Sequence, residues 1–160
     1  MTPRRRPAMR SEPFALLLAA ALGLSSCSSS GDGVRASAPD PDAETGRICE
    51  ALLDAVPDSV AGGERRETEP SSPYTTAWGD PAIVLRCGVE PPEEMKNPRA
   101  AGGRFRGVDW MLENPEGGRH RCTTTYRKAY VEVSIPEEYG DVQALVELAD
   151  AVRKTVPKSV

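Results

Sequence analysis

Two carboxylates sit beside tryptophans, Asp80 in WGDP and Asp109 in VDWM. A pair of carboxylates flanking a sugar ring is what cleavage of a glycosidic bond requires, one as acid and the other as base or nucleophile. Each also has a plainer role. Asp80-Pro81 suits a turn, and Asp109 suits a solvent-facing position on a strand. The single histidine, His120, stands between two arginines and reads as a solvated strand residue. No serine lies in a G-x-S-x-G elbow, and Gly102-Gly103 lacks the Lys and Ser/Thr of a phosphate-binding loop. Glu93-Glu94 and Glu137-Glu138 read as solvated loop charges. Cys49, Cys87 and Cys122 show none of the C-x-x-C spacing common in zinc sites, so no metal is expected from them with His120. With no catalytic constellation, the chain is expected not to be an enzyme and to need no cofactor.

The fourth cysteine sits at a seam. Residues 1–10 carry four arginines and no acid, residues 14–24 (FALLLAAALGL) are apolar, and Ser25, Ser26 and Cys27 follow. A basic head, a short apolar core and small residues before a cut describe a secretory signal peptide. Eleven apolar residues are too few to cross a bilayer core of about 30 Å as a helix. Leu24-Ser25-Ser26-Cys27 resembles the lipobox of a bacterial lipoprotein. That resemblance implies a diacylglyceryl thioether on Cys27, cleavage before it, and a chain held by lipid on the extracytoplasmic face of the cell membrane. The expected organisation is a signal peptide over 1–26, a flexible Ser/Gly/Pro/Asp tether over 27–44 and one domain over 45–160.

From Cys27 on, 16 basic and 23 acidic residues leave a formal charge of −7. That balance argues against nucleic acid and anionic headgroups as partners. Outside the membrane, disulfides are favoured. Sequence alone does not choose among the three pairings. Cys49–Cys87 is the preferred one because it ties the first helix to a central strand, leaving Cys122 as a buried thiol.

The elements that must position these groups follow from periodicity. Ile48, Leu52 and Val56 mark a helix over 45–56, stopped by Pro57. Residues 74–79 and 82–87 read as strands, with a short edge strand near Glu64–Glu67. Residues 90–103 read as a long loop. Residues 105–112 and two segments within 119–135 read as further strands. Residues 141–154 form the clearest helix, with Asp141 as N-cap and Val142, Leu145, Val146, Ala149 and Val152 on its apolar face. The expected class is α+β, a four- or five-stranded, mainly antiparallel sheet with both helices packed on one face.

Four segments, ICEALLDAVP (48–57), AWGDPAIVLRCGVEPP (77–92), GVDWM (107–111) and TTTYRKAYVEVSIP (123–136), resemble the actinobacterial lipoproteins classed as domain of unknown function 3515. The resemblance implies a membrane-attached or secreted protein with no established activity. Within these segments Trp78, Asp80, Arg86, Asp109, Trp110, Tyr126 and Arg127 are candidates for one binding surface, since Trp, Tyr and Arg are the usual anchors of such sites. The plainer expectation puts the tryptophans in the core and pairs Arg86 with an acid. The functional expectation is a lipid-anchored envelope protein, a binding or adaptor module with a protein or glycan partner. The alternatives are an envelope hydrolase using Asp80 and Asp109, and a purely structural envelope lipoprotein.

Overall fold

A computed structural model describes residues 33–115, 117–140 and 142–159. Cys27, the signal segment and Asp141 lie outside the described residues. From Gly33 on, the described residues fall in one compact unit.

The elements in chain order are β1 (Val34–Arg35), α1 (Ala43–Ala55), β2 (Ser59–Val60), β3 (Gly63–Arg66), β4 (Thr68–Glu69), β5 (Thr75–Trp78), β6 (Ile83–Cys87), β7 (Gly102–Phe105), β8 (Val108–Glu113), β9 (Arg119–Thr124), β10 (Val131–Pro136) and α2 (Gln143–Thr155). The class is α+β, with two helices and a large antiparallel sheet. The strand count differs from expectation. Eight strands form one sheet in the order β2-β3-β5-β6-β10-β9-β8-β7, and β1 pairs β4 in parallel as a separate ribbon. The unexpected strands are short, polar or glycine-rich, as in Gly102-Gly103-Arg104-Phe105, so they carry no period-two signal.

The ribbon also corrects the expected tether. Val34 and Arg35 are paired with Thr68 and Glu69, Ala36 is buried against Ala77 and Val84, and α1 begins at Ala43. Ordered structure therefore starts well before residue 45. Asp42 caps α1: its Oδ1 accepts from the Glu44 and Thr45 N–H groups at 2.8 and 3.1 Å, and its Oδ2 accepts from the Thr45 hydroxyl at 2.8 Å. Such a cap satisfies donors that the first helical turn leaves orphaned.

Cys49, Leu52 and Leu53 on α1 and Leu145, Leu148, Ala149 and Val152 on α2 share one core with Trp78, Leu85, Val108, Val131, Val133 and Ile135 of the sheet. The face of α2 follows the 145–148–149–152 spacing of a helix. Val142, expected on that face, instead occupies the N-cap position and is 41% exposed. The Cys49–Cys87 disulfide joins α1 to β6, with the Cα atoms 5.4 Å apart. Cys122 is fully buried on β9.

Alternation sends the other residues of these strands to the opposite face. There, three ion pairs bridge residues directly opposite one another: Arg86 with Glu132 (β6–β10), Arg121 with Glu113 (β9–β8) and Arg104 with Asp109 (β7–β8). Opposite charges at such positions favour the observed register.

Candidate functional site

The seven candidate surface residues do not form one patch. Trp78 is fully buried, and its Nε1 donates to the Pro57 carbonyl at 3.0 Å. Trp110 is 1% exposed and belongs to the same core, with its Nε1 unpartnered among the described residues. Arg86 donates through Nη1 to Glu132 at 3.0 Å and through Nε to the Ser37 carbonyl at 2.9 Å. Asp80 and Arg86 border one groove with Arg35, Pro81 and Arg119. Asp109, Trp110 and Tyr126 border another.

The two carboxylates singled out for hydrolysis are therefore apart. Asp80 lies in the turn between β5 and β6, while Asp109 is on β8, three strands from β6 across β10 and β9. Three strand spacings amount to about 14 Å, beyond the roughly 5–9.5 Å that separates a glycosidase pair. Asp109 is also held by Arg104, whose Nε and Nη2 donate to its two oxygens at 2.6 and 3.1 Å. His120 lies within 2.7 Å of the Asn114 side-chain oxygen through Nδ1. Among the described residues, no group of three or more His, Cys, Asp or Glu is placed to hold a metal ion.

The groove at Asp109 is a cleft of about 630 Å³, within the usual range of roughly 300–1,000 Å³ for small-molecule sites. Strands β7 and β8 supply one wall, with Gly102, Arg104, Asp109 and Met111. Met95, Asn97 and Pro98 come from the segment before β7. Thr125, Tyr126, Tyr130 and Ser159 complete it. Sequence reasoning passed over 90–103 as a loop and so missed this wall.

Local backbone explains the rim. The β7–β8 hairpin closes through Arg106 and Gly107, both at positive φ (45° and 83°), the signature of a type I′ turn. Tyr126 also has a positive φ, 55°, uncommon for a bulky residue, and its side chain is 73% exposed. The next residue, Arg127, is 6% exposed. It donates through Nη1 to the Val156 carbonyl at 2.7 Å and through Nη2 to the Gly107 carbonyl at 3.3 Å. Burial pulls the Arg127 guanidinium below its ordinary value; Asp109 opposes that and Arg153 adds to it. Arg127 thus belongs to the framework: it fastens the chain after α2 to the hairpin. Ser159 N–H donates to the Tyr126 carbonyl at 3.0 Å and closes the cleft on that side. Arg104, at the opposite wall, is raised above its ordinary value by its hydrogen bond to Asp109 and by that residue's charge.

A family model described as a protein of unknown function (DUF3515) matches residues 13–160. The chain belongs to that family. No curated protein matches the chain, and no solved structure does. No helix among the described residues is long and apolar enough to cross a membrane.

Proposed function

We propose that this DUF3515 protein is a lipid-anchored binding module on the extracytoplasmic face of a bacterial cell membrane. Cys27 carries the anchor, and the cleft between β7–β8 and Tyr126 receives the ligand or partner. The observation that carries the binding role is Tyr126. A tyrosine at a left-handed backbone position, 73% exposed at the rim of a cleft, contributes little packing to the fold and leaves a phenol ring open to contact. Such amphipathic rings are frequent anchors of recognition sites. The anchor is supported by the order of the N-terminal segment: basic head, apolar core, then Leu24-Ser25-Ser26-Cys27. One acyl chain holds a protein only reversibly, whereas two hold it stably, so a diacylglyceryl group on Cys27 would keep the domain at the membrane.

The test combines two variants in cells. With an alkynyl fatty-acid label, the native chain should be labelled and recovered with membranes, and Cys27→Ala should be unlabelled and released. A photoreactive phenylalanine analogue at position 126 should crosslink one discrete envelope component in the anchored protein and lose it in Cys27→Ala. Label retained by Cys27→Ala overturns the anchor, and no crosslinked component from position 126 overturns the binding role.

A further inference from the structure

Each neighbouring pair in the order β6-β10-β9-β8-β7 is antiparallel, so β6 and β7 run the same way. Residues 88–101 must therefore cross β10, β9 and β8 to join them. Four strand spacings come to about 19 Å. Two grooves on the sheet face opposite the helices show where this segment passes. One, of about 730 Å³, has Pro92, Glu93 and Glu94 on one side and Glu113, Arg121 and Glu132 of the sheet on the other. The second is the cleft beside Tyr126, where Met95, Asn97 and Pro98 border Asp109 and Met111. The segment is a wall of both. Thr123 stands between the two sets of sheet residues, directly opposite Glu132 on one side and Met111 on the other. Alternation points it away from Cys122 and the core, toward the face that the segment crosses. Thr123 is nevertheless fully buried, and Met111 is 3% exposed. The N-terminal ribbon covers Ala77 and Val84 elsewhere on this face. Over Thr123 and Met111 the cover is the 88–101 segment.

The cover is fastened at its ends and hardly at all between them. At one end the Gly88 N–H donates to the Tyr130 carbonyl at 2.9 Å, and at the other the Leu112 N–H donates to the Ala101 carbonyl at 2.8 Å. Among the described residues, the hydrogen bonds of residues 89–100 are internal. The Met95, Asn97 and Ala100 N–H groups donate to the Pro92, Glu94 and Asn97 carbonyls. The Lys96 and Asn97 side chains donate to Glu93 and Glu94, and the Arg99 N–H to the Asn97 side chain. No residue from 88 to 101 is buried. Few buried contacts and few bonds to the rest of the fold mark segments that open locally, far below the free energy of global unfolding. Bonds kept within the segment let it move as a unit. What lies beneath also favours opening. Thr123 Oγ1 is buried with no hydrogen-bond partner among the described residues, and water admitted to it restores a bond that the closed state forgoes.

We infer that residues 89–100 form a strap that lifts as a unit, joins the two grooves into one channel across the sheet and so gates entry to the cleft beside Tyr126. The consequence for a ligand rests on the binding-module reading; the opening itself does not. Thiol labelling of the full chain tests it. Cys122 and Thr123 are adjacent on β9 and equally buried, but only position 123 lies beneath the strap. Thr123→Cys, made together with Cys122→Ala, breaks no hydrogen bond of the Thr123 hydroxyl, which has none to lose. The native chain reports on Cys122. Both proteins are treated with iodoacetamide at urea concentrations below the unfolding transition, and peptide mapping locates the label within residues 122–127. The thiol at position 123 should react at least about 100-fold faster than Cys122, because local opening costs far less than global unfolding. Its rate should be nearly independent of urea, whereas that of Cys122 should climb with urea as global unfolding does. Met95→Ala, which thins the strap beside Met111, should speed labelling at position 123 further. Equal rates with equal urea dependence overturn the strap, since this face then opens only when the whole fold does. Fast labelling that Met95→Ala leaves unchanged also overturns it. Hydrogen exchange on the unsubstituted chain gives a second reading: amides over 92–101 should exchange at least about 100-fold faster than those over 131–135, and equal protection refutes the inference. No ligand enters either measurement, so their failure leaves crosslinking from position 126 to judge the binding role alone.

Discussion

Replacing Cys49 and Cys87 together by alanine tests whether the α1–β6 crosslink is a principal support of the fold. The disulfide closes a loop of 38 residues. In the chain-entropy model such a loop removes about 13 cal/mol/K from the unfolded ensemble, or about 4 kcal/mol at 25 °C. Against a typical domain stability of about 5–15 kcal/mol this is a large share. With an unfolding entropy of about 2.1 cal/mol/K per residue over about 130 residues, each kcal/mol is worth about 4 °C, so Tm should fall by about 15 °C. Both sulfurs are fully buried, so the variant also loses packing. Cys122→Ala supplies that part separately, because it deletes an equally buried sulfur outside the loop. Urea unfolding of the three proteins, followed by circular dichroism, gives both quantities. The double variant should also show a larger m-value, because its unlinked denatured chain exposes more surface. If the double variant loses no more than twice what Cys122→Ala loses, loop closure contributes nothing and the entropic account is wrong.

Three further substitutions probe other parts of the fold. Tyr126→Gly should raise stability by about 1 kcal/mol, since glycine accepts the left-handed conformation that costs an L-residue roughly 1–2 kcal/mol; a thermal scan showing a loss would mean that the ring packs. Trp78→Phe removes the bond from Trp78 Nε1 to the partly buried Pro57 carbonyl and should cost about 1 kcal/mol by urea titration; an unchanged midpoint would show that the 3.0 Å bond is replaced by water at no cost. Asp42→Asn probes pH dependence. The Thr45 hydroxyl, then the Thr45 and Glu44 N–H groups, hold the Asp42 carboxyl below its ordinary value. A depressed carboxyl stabilises fully above its unfolded pKa, about 3.9, and that stabilisation is lost as pH falls through the lower folded value. The native chain should therefore lose stability below about pH 4 more steeply than Asp42→Asn; parallel curves would show that the carboxylate charge at the cap is immaterial.

How far the sequence foretells this molecule depends on how local the signal is. Strand β10 is legible by its alternation, β6 by its continuous apolar run and β5 by its Tyr, Thr and Trp, and the helices are legible by their 3.6-residue stripes. The sequence leaves three cysteine pairings open; the preferred one, Cys49–Cys87, is the one the structure holds, joining α1 to β6. Strands β1, β2, β4 and β7 are invisible to the same reasoning. They are two to four residues long and owe their form to a neighbour's free edge, a property of the assembled sheet. The candidate surface fails for a related reason. Trp78 and Trp110 are candidate contacts by their chemistry, but alternation puts them on the same face as Leu85 and Val133, in the core where the plainer expectation has them. Tyr126 escapes burial because its left-handed backbone breaks the alternation that would have hidden it.

Charge is the least legible property of all. A sum over residues gives an acidic protein and an argument against nucleic acid and anionic headgroups. Yet Arg127, Arg153 and Lys158 come from three separate stretches of chain and meet beside the β7–β8 turn. With screening over about 10 Å, a ligand responds to that local set. The total therefore bears on solubility, while the local field at this end is set by where the β7–β8 hairpin turns and where Arg127 fastens the chain after α2. An uncharged substitution that released the 156–159 segment from Arg127 and Tyr126 would move Lys158 away from Arg127 without altering the net charge at all.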